Sequence, residues 1–237
     1  MINHSFTMSL QHILKDFFSL IYPPACEACS EKLYGGEELL CAVCWFSLPK
    51  TGFHAGKENP LTRLFWGRVS IETGTALFYY TKGGKVQKLV HRLKYKGGTD
   101  LGFFLGRQLG LVLSKTDLYS SIDYIVPVPL HRKRLRKRGF NQSEVIGMGL
   151  SSVMGIPVNP GILFKGSSTQ SQTRKRRFMR WENVESAFEV SPGQDLKDMR
   201  LLLVDDVITT GATLEACASK LTEKGARVWI ATIAVTV

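Results

Sequence analysis

Two adjacent carboxylates, Asp205 and Asp206, follow an apolar run at 201–204 that is typical of a buried strand. Residues 214–221 have the composition of a helix, so a strand, a short loop and a helix follow one another. The loop consists of Val207, Ile208, Thr209, Thr210, Gly211, Ala212 and Thr213. The start of a helix offers unpaired backbone N–H groups and the positive end of its dipole to an anion. This loop, residues 207–213, is therefore predicted to bind a phosphate group and is called the phosphate loop below.

The two carboxylates would repel a phosphate, so we expect them to face the neutral hydroxyl groups of a sugar. Mg²⁺ suits the same carboxylate oxygens and is the metal expected nearby. A sugar phosphate with free ring hydroxyls would satisfy both halves of such a site. An ordinary loop behind a buried strand is the alternative interpretation. A P-loop is excluded, because no Gly-Lys-Ser or Gly-Lys-Thr sequence is present.

Two segments are rich in arginine and lysine, and their basic clusters at 132–138 and 174–180, which contain no acidic residue, contribute much of the net charge of +11. The first follows a predicted buried strand at 122–128 and includes Pro129, Leu130, His131, Arg132, Arg134, Arg136, Lys137 and Arg138. A strand that opens into a row of cations and then a helix is typical of a second phosphate cradle. A basic surface turn or a nucleic-acid patch is the alternative interpretation.

The second basic segment, at 166–184, begins with polar residues and ends with cations and an aromatic ring. It includes Thr169, Gln170, Arg174, Arg176, Arg177, Arg180 and Trp181. Such a composition predicts a mobile flap that closes over a charged ligand and excludes water. The aromatic rings among the cations would also suit stacking on the bases of a single strand.

Four cysteines form two Cys-x-x-Cys pairs near the start of the chain. They are Cys26, Cys29, Cys41 and Cys44. This spacing predicts a closed four-thiolate zinc site with a structural role. Two disulfides or four unrelated thiols are the alternatives, and disulfides are disfavoured because nothing marks the chain as secreted. The fifth cysteine, Cys217, is predicted to lie in the core.

The 237 residues suffice for one α/β domain and a small appendage, and 44% of them are hydrophobic. Strands that alternate with helices from residue 75 onward predict a parallel sheet flanked by helices. An amphipathic helix is predicted at 8–21, and residues 47–72 have the pattern of a linker. We expect a helix and cysteine domain at 1–60 and a catalytic-type domain at 61–237. No segment is apolar enough to cross a membrane, and a cytoplasmic location is expected.

Taken together, these motifs resemble the ComF family, which includes competence proteins of DNA uptake. The resemblance covers the paired cysteines, the Leu93-Lys94-Tyr95-Lys96-Gly97 segment, residues 126–144, residues 169–174 and residues 205–213, in the order that the family has. It implies a type I phosphoribosyltransferase-like domain behind a zinc ribbon. The implied ligand is phosphoribosyl pyrophosphate (PRPP), with Mg²⁺.

The resemblance also assigns roles to the motifs. Residues 127–132 take the place of the pyrophosphate loop, and 167–184 that of the flexible loop. Asp205 and Asp206 would hold the ribose hydroxyls and stabilise an oxocarbenium-like centre. Single-stranded DNA and the DNA-uptake machinery are the implied partners.

Three functions stay open. The first is a PRPP-binding protein that assists the inward transport of single-stranded DNA in natural transformation. The second is an active phosphoribosyltransferase that releases pyrophosphate and uses an unknown acceptor. The third is a regulatory protein that senses PRPP. PRPP amidotransferases carry Asp-Ser-Gly where this chain has Leu130, His131 and Arg132, which favours ligand binding over turnover.

Overall fold

The structure is a computed structural model that describes residues 24–95, 98–166 and 188–236. The chain divides into two compact units, Met1–Leu48 and Pro49–Val237. The helix predicted at 8–21 lies outside the described residues. So do the predicted flap residues, which are Thr169, Gln170, Arg174, Arg176, Arg177, Arg180 and Trp181.

The described part of the first unit, residues 24–48, is called the cysteine module below. It contains one helix, α1 (Ala42–Ser47), and an isolated antiparallel bridge between Ala25 and Lys32. Cys26, Cys41 and Cys44 are buried, whereas most of the neighbouring side chains are exposed. A unit this small has little apolar core of its own, so its cysteines carry much of its internal contact.

The second unit is built on four parallel strands in the order β1, β6, β5, β2, with a separate antiparallel pair formed by β3 and β4. The strands are β1 (Thr73–Tyr79), β2 (Tyr124–Pro127), β3 (Leu163–Lys165), β4 (Phe188–Val190), β5 (Arg200–Ile208) and β6 (Arg227–Val235). Strand β6 and residues 201–204 of β5 are almost continuously apolar and buried, as expected for a sheet covered on both faces.

The second unit also contains several helices. They are α2 (Pro60–Arg63), α3 (Lys85–Arg92), α4 (Gly98–Leu113), α5 (Arg132–Arg138), α6 (Gln142–Met154) and α7 (Ala212–Thr222), with short 3₁₀ turns at Phe53–Ala55 and Asp117–Tyr119. None of the helices in residues 24–95, 98–166 and 188–236 is long and apolar enough to span a membrane.

Helices α4 and α6 pack with their backbones in direct contact. A Cβ atom at Gly106 would lie 2.1 Å from the carbonyl oxygen of Ile146, and one at Gly149 would lie 2.2 Å from that of Phe103. Only glycine allows this approach, because any side chain would push the helices apart. The contact fixes the position of α6, whose first turn carries side chains into the site described below.

The prediction of a parallel sheet flanked by helices is confirmed, but β5 is longer than predicted. The strand was expected to end at Val204, whereas it continues to Ile208, which pairs with Val235 of β6. Asp205 and Asp206 therefore belong to the strand itself. Strand β2 stops earlier, with Pro127 opposite Val204, so the carboxylates lie just beyond its end.

The prediction of a linker at 47–72 is wrong. Phe53, Leu61 and Phe65 are buried in the main core. Asn59 is also buried; its side-chain amide donates to the carbonyl oxygens of Phe53 and Gly74, and its oxygen caps α2. These contacts are made by single residues rather than by a periodic apolar face, which is why the pattern did not reveal them.

Candidate functional site

The two carboxylates of β5 lie beside the N-terminal turn of α6 and the segment that follows α3. Oδ1 of Asp205 accepts hydrogen bonds from the Ser143 hydroxyl and from the backbone N–H of Asp206, both at 2.9 Å. The Lys94 ammonium lies 3.7 Å from Oδ2 of Asp206. Three separate elements therefore converge on the acidic pair.

The surroundings of Asp205 favour its protonated form. Burial is the largest cause, followed by the negative charge of Asp206, and together they raise the pKa of Asp205 to about 7. Hydrogen bonds from the Asp206 N–H and Ser143, and the charge of Lys94, act in the opposite direction. Without a ligand, Asp205 is therefore poised between its neutral and charged forms near neutral pH.

The phosphate loop connects β5 to α7. Gly211 adopts the left-handed conformation, with φ of 78°, directly before the first residue of α7. The loop surrounds a small concavity that Asp205 and Leu214 also line. Free backbone N–H groups at the start of this helix and the nearby threonine hydroxyls suit an anion with several oxygens.

A structural support of the phosphate loop comes from the segment after α2. Nη1 of Arg68 donates to the carbonyl oxygens of Thr210, at 3.2 Å, and Leu64, at 3.0 Å, and the same guanidinium forms an ion pair with Glu215 of α7. The ring of Phe65 lies 3.4 Å from where a Cβ atom at Gly211 would be. Arg68 thus joins the loop to the first turn of α7.

A cavity of about 170 Å³ brings the acidic pair and Thr213 together with the first basic segment. Of that segment, Pro129, Leu130, His131, Arg134 and Arg138 line the cavity, whereas Arg132, Arg136 and Lys137 do not.

Residues 132–138 form α5, where sequence analysis expected a loop. Nδ1 of His131 accepts the N–H of Lys133 and caps the helix, which ends at Gly139 with φ of 85°. Since Arg134 and Arg138 are four residues apart, they share one face, and the helix directs that face toward the cavity.

Several residues of this site were not singled out from the sequence. Nδ2 of Asn141 donates to the Val128 carbonyl at 3.0 Å, and its Oδ1 accepts the Ser143 N–H at 3.2 Å. Asn141 therefore joins the loop after β2 to the first turn of α6. Asn141, with Glu144 three positions later, has the spacing of a capping box, which marks the start of a helix but gives no sign of the link to Val128.

Gln142 and Lys165 also line the cavity. Gln142 is only 3% exposed, and its Nε2 has no hydrogen-bond partner among the described residues. An unpaired buried donor is costly, so this amide is suited to a ligand oxygen. The Lys165 ammonium lies 4.6 Å from the centre of the Phe188 ring. Burial first, and then the charge of Arg134, lower the pKa of Lys165.

In the cysteine module, four sulfur atoms lie within 4.8 Å of one another, and all four cysteines are free thiols. Sγ of Cys29 and Cys41 are 3.8 Å apart, the separation that a tetrahedral site with metal–sulfur bonds of about 2.3 Å requires. The N–H groups of Cys41 and Cys44 donate to Sγ of Cys26 and Cys41.

The acidity of the Cys26 thiol agrees with a ligand role. Burial raises its pKa, but donation from the backbone of Cys41, Cys29 and Ala28 outweighs this effect, and the pKa falls to about 6. The cluster can hold one metal ion. Cys217 is fully buried in α7, as predicted.

Comparison with known proteins agrees with this architecture. The phosphoribosyl transferase domain family matches residues 141–237. The chain is 27% identical over 224 residues to the DNA utilization protein YhgH of Salmonella typhi, covering 89% of this chain and 97% of that protein. It is 30% identical over 141 residues to competence protein F of Haemophilus influenzae, covering 58% of this chain and 62% of that protein.

Among solved structures, the glutamine PRPP amidotransferase of B. subtilis is similar over 55% of this chain and 25% of that one, with 22% identity and a TM-score of 0.39. The domain match and the parallel sheet identify the fold of the second unit as that of the type I phosphoribosyltransferases.

We expect Arg68→Lys to loosen the phosphate loop, because an ammonium cannot bridge the three acceptors that the guanidinium joins. Hydrogen exchange of the amides at 209–213 should become roughly 10-fold faster, as expected for the loss of a charge-assisted hydrogen bond. Arg200→Lys is the matched control, because Arg200 forms a similar pair with Asp123 between β2 and β5. Equal exchange in the two variants would contradict this role of Arg68.

We expect the ligand-free protein to lose stability as pH rises toward 8. Because the pKa of Asp205 is raised, the folded state keeps, between about pH 4 and 7, a proton that the unfolded chain has already released. Asp205→Asn should flatten this dependence in a series of thermal melts and stabilise the protein at pH 8.

Asp123→Asn is the control for this experiment. Hydrogen bonds from Arg200 lower the pKa of Asp123, so its loss should destabilise the protein at pH 8. If Asp205→Asn instead lowered the melting temperature at pH 8, the assignment of a costly buried charge to Asp205 would be wrong.

Proposed function

The chain belongs to the ComF family, and from this membership we propose that it binds PRPP and assists the handling of single-stranded DNA in natural transformation. The observation that carries the first half is the cavity in which Asp205, Asp206 and Thr213 meet Arg134 and Arg138. A ligand with ribose hydroxyls at one end and a pyrophosphate at the other matches this distribution of charge.

Each part of PRPP has a counterpart in the site. The phosphate loop would donate backbone N–H groups to the 5-phosphate, and the carboxylates of Asp205 and Asp206 would accept from the ribose hydroxyls. Arg134 and Arg138 would neutralise the pyrophosphate. Carboxylate oxygens in the same cavity fit Mg²⁺, which would be shared with pyrophosphate oxygens and reduce their charge.

The DNA half of the proposal is supported by the relatives, which are named as DNA utilization and competence proteins. The chain carries a net charge of +11. Arg136 and Lys137 of α5 lie outside the cavity lining and have no carboxylate partner in residues 24–95, 98–166 and 188–236. These cations would be available to DNA phosphates while Arg134 and Arg138 serve the ligand. Arg180 and Trp181 are the further candidates for this role.

An active phosphoribosyltransferase is the second candidate, and the pKa of Asp205 favours it. A carboxyl group with a pKa of about 7 can exchange a proton near neutral pH, as a general acid or base must. Such an enzyme would release pyrophosphate from PRPP in the presence of the correct acceptor. A PRPP sensor would bind the ligand, release no pyrophosphate and bind no DNA.

We expect isothermal titration with PRPP and Mg²⁺ to give binding that Asp205→Asn combined with Asp206→Asn abolishes, since both acceptors of the ribose hydroxyls lose their charge. Binding of a fluorescent oligothymidylate should persist in the same variant. Asp195→Asn, an exposed carboxylate outside the cavity, should leave PRPP binding unchanged. PRPP binding that survives the double change would overturn the proposed site, and equal loss of PRPP and DNA binding would contradict two separate surfaces.

For the cysteine module we propose a structural zinc ion, because a closed set of four thiolates leaves no position open for a substrate. Cys41→Ser should reduce the zinc content of the purified protein, measured by mass spectrometry, to near zero and unfold the module. Cys217→Ser is the matched control and should keep its zinc, because Cys217 lies in α7. Unchanged zinc content in Cys41→Ser would disprove the assignment.

A further inference from the structure

Trp66 presents a large aromatic ring on a turn whose backbone is firmly held. The side chain is 58% exposed, whereas the preceding Phe65 is fully buried. The N–H groups of Trp66 and Arg68 donate to the carbonyl oxygens of Arg63, at 3.2 Å, and Phe65, at 3.0 Å. The next residue after the ring, Gly67, turns the chain with φ of 71°. The backbone that carries the ring is therefore held in place, so a partner would not have to order this turn.

Arg63 lies against this ring. Its guanidinium carbon is 5.6 Å from the centre of the indole, a cation–π distance. Arg63 is exposed and has no carboxylate partner within the described ranges of the chain.

A cavity of about 440 Å³ adjoins the ring and is lined by residues 66–71. Its size falls within the range of small-molecule sites, roughly 300 to 1,000 Å³. Val69 and Ile71 contribute apolar surface, and Ser70 contributes a hydroxyl group. A mixed lining beside an indole suits a planar base that carries a polar sugar.

We propose that Trp66 and Arg63 form a base-stacking site for single-stranded nucleic acid, in which the indole stacks on a base and Arg63 pairs with an adjacent phosphate. Stacking of this kind tolerates any sequence, because every base has an aromatic face. The inference rests on the proposed role in DNA handling and assigns that role to a surface that does not line the PRPP cavity.

A protein interface is the competing explanation for an exposed tryptophan. The charge around the ring favours nucleic acid. Arg63 is stacked and has no acidic partner in the described part of the chain, and the protein as a whole carries +11. An unpaired cation over an aromatic ring is the combination that nucleic-acid surfaces use to hold a base and its phosphate together.

The test is the affinity of the full-length protein for a fluorescein-labelled oligothymidylate, measured by anisotropy at several salt concentrations. Trp66→Ala should weaken binding roughly 5- to 100-fold, the range for the loss of one base–aromatic stack. Trp66→Phe, which keeps an aromatic ring, should recover most of the affinity. Arg63→Ala should weaken binding and reduce its salt dependence, because one phosphate contact is lost.

Phe103→Ala, which removes another exposed aromatic ring, is the matched control and should bind as the wild type does. Melting temperatures establish that each variant is folded. If the wild type binds and Trp66→Ala binds equally well, the inference is wrong while the DNA role stands. If the wild type does not bind the oligothymidylate, both the proposed DNA role and this inference are wrong. If Trp66→Ala changed the mass measured by light scattering relative to the wild type but left the DNA affinity unchanged, Trp66 would belong to a protein interface and the inference would be wrong.

Discussion

The burial of a negative charge at Asp205 is the constraint around which the second unit is organised. A carboxylate inside a packed strand is unfavourable unless donors and cations compensate for the lost water. Ser143, the Asp206 N–H and Lys94 supply part of that compensation, from α6, from β5 itself and from the segment after α3, but burial still raises the pKa of Asp205 to about 7. The helices must be correctly placed before the charge can be tolerated, so the site and the fold depend on each other.

The phosphate loop must both bind a ligand and keep its shape. Beyond Ile208, which pairs with Val235 of β6, the loop must leave backbone N–H groups available to a ligand. Its shape is instead held through groups that the ligand does not need. Arg68 bonds the carbonyl of Thr210, and the ring of Phe65 packs beside Gly211. The groups that bind the ligand are therefore different from the residues that hold the loop in shape.

The features predictable from the sequence are those that a short stretch of chain determines. The carboxylates before a threonine-rich turn, the spacing of four cysteines and the alternation of strands and helices each have a local physical cause. The true end of β5 could not be predicted, because it depends on the pairing of Ile208 with Val235. The Arg68 contact joins residues separated by 142 positions and leaves no local pattern. The basic helix α5 has no buried residue, so it lacks the apolar face by which helices are recognised.

The glycine contact between α4 and α6 couples the ligand site to α4, a helix that does not line the cavity. Glycine at positions 98, 102, 106 and 110 makes α4 a weak helix by itself, since each glycine costs about 1 kcal/mol relative to alanine. The stability of α4 therefore depends largely on its packing against α6. The first turn of α6 in turn contacts Asp205 through Ser143. A ligand that restrains this turn would also slow the opening of α4, although no residue of α4 lines the cavity. The two helices then respond to occupancy as one cooperative element.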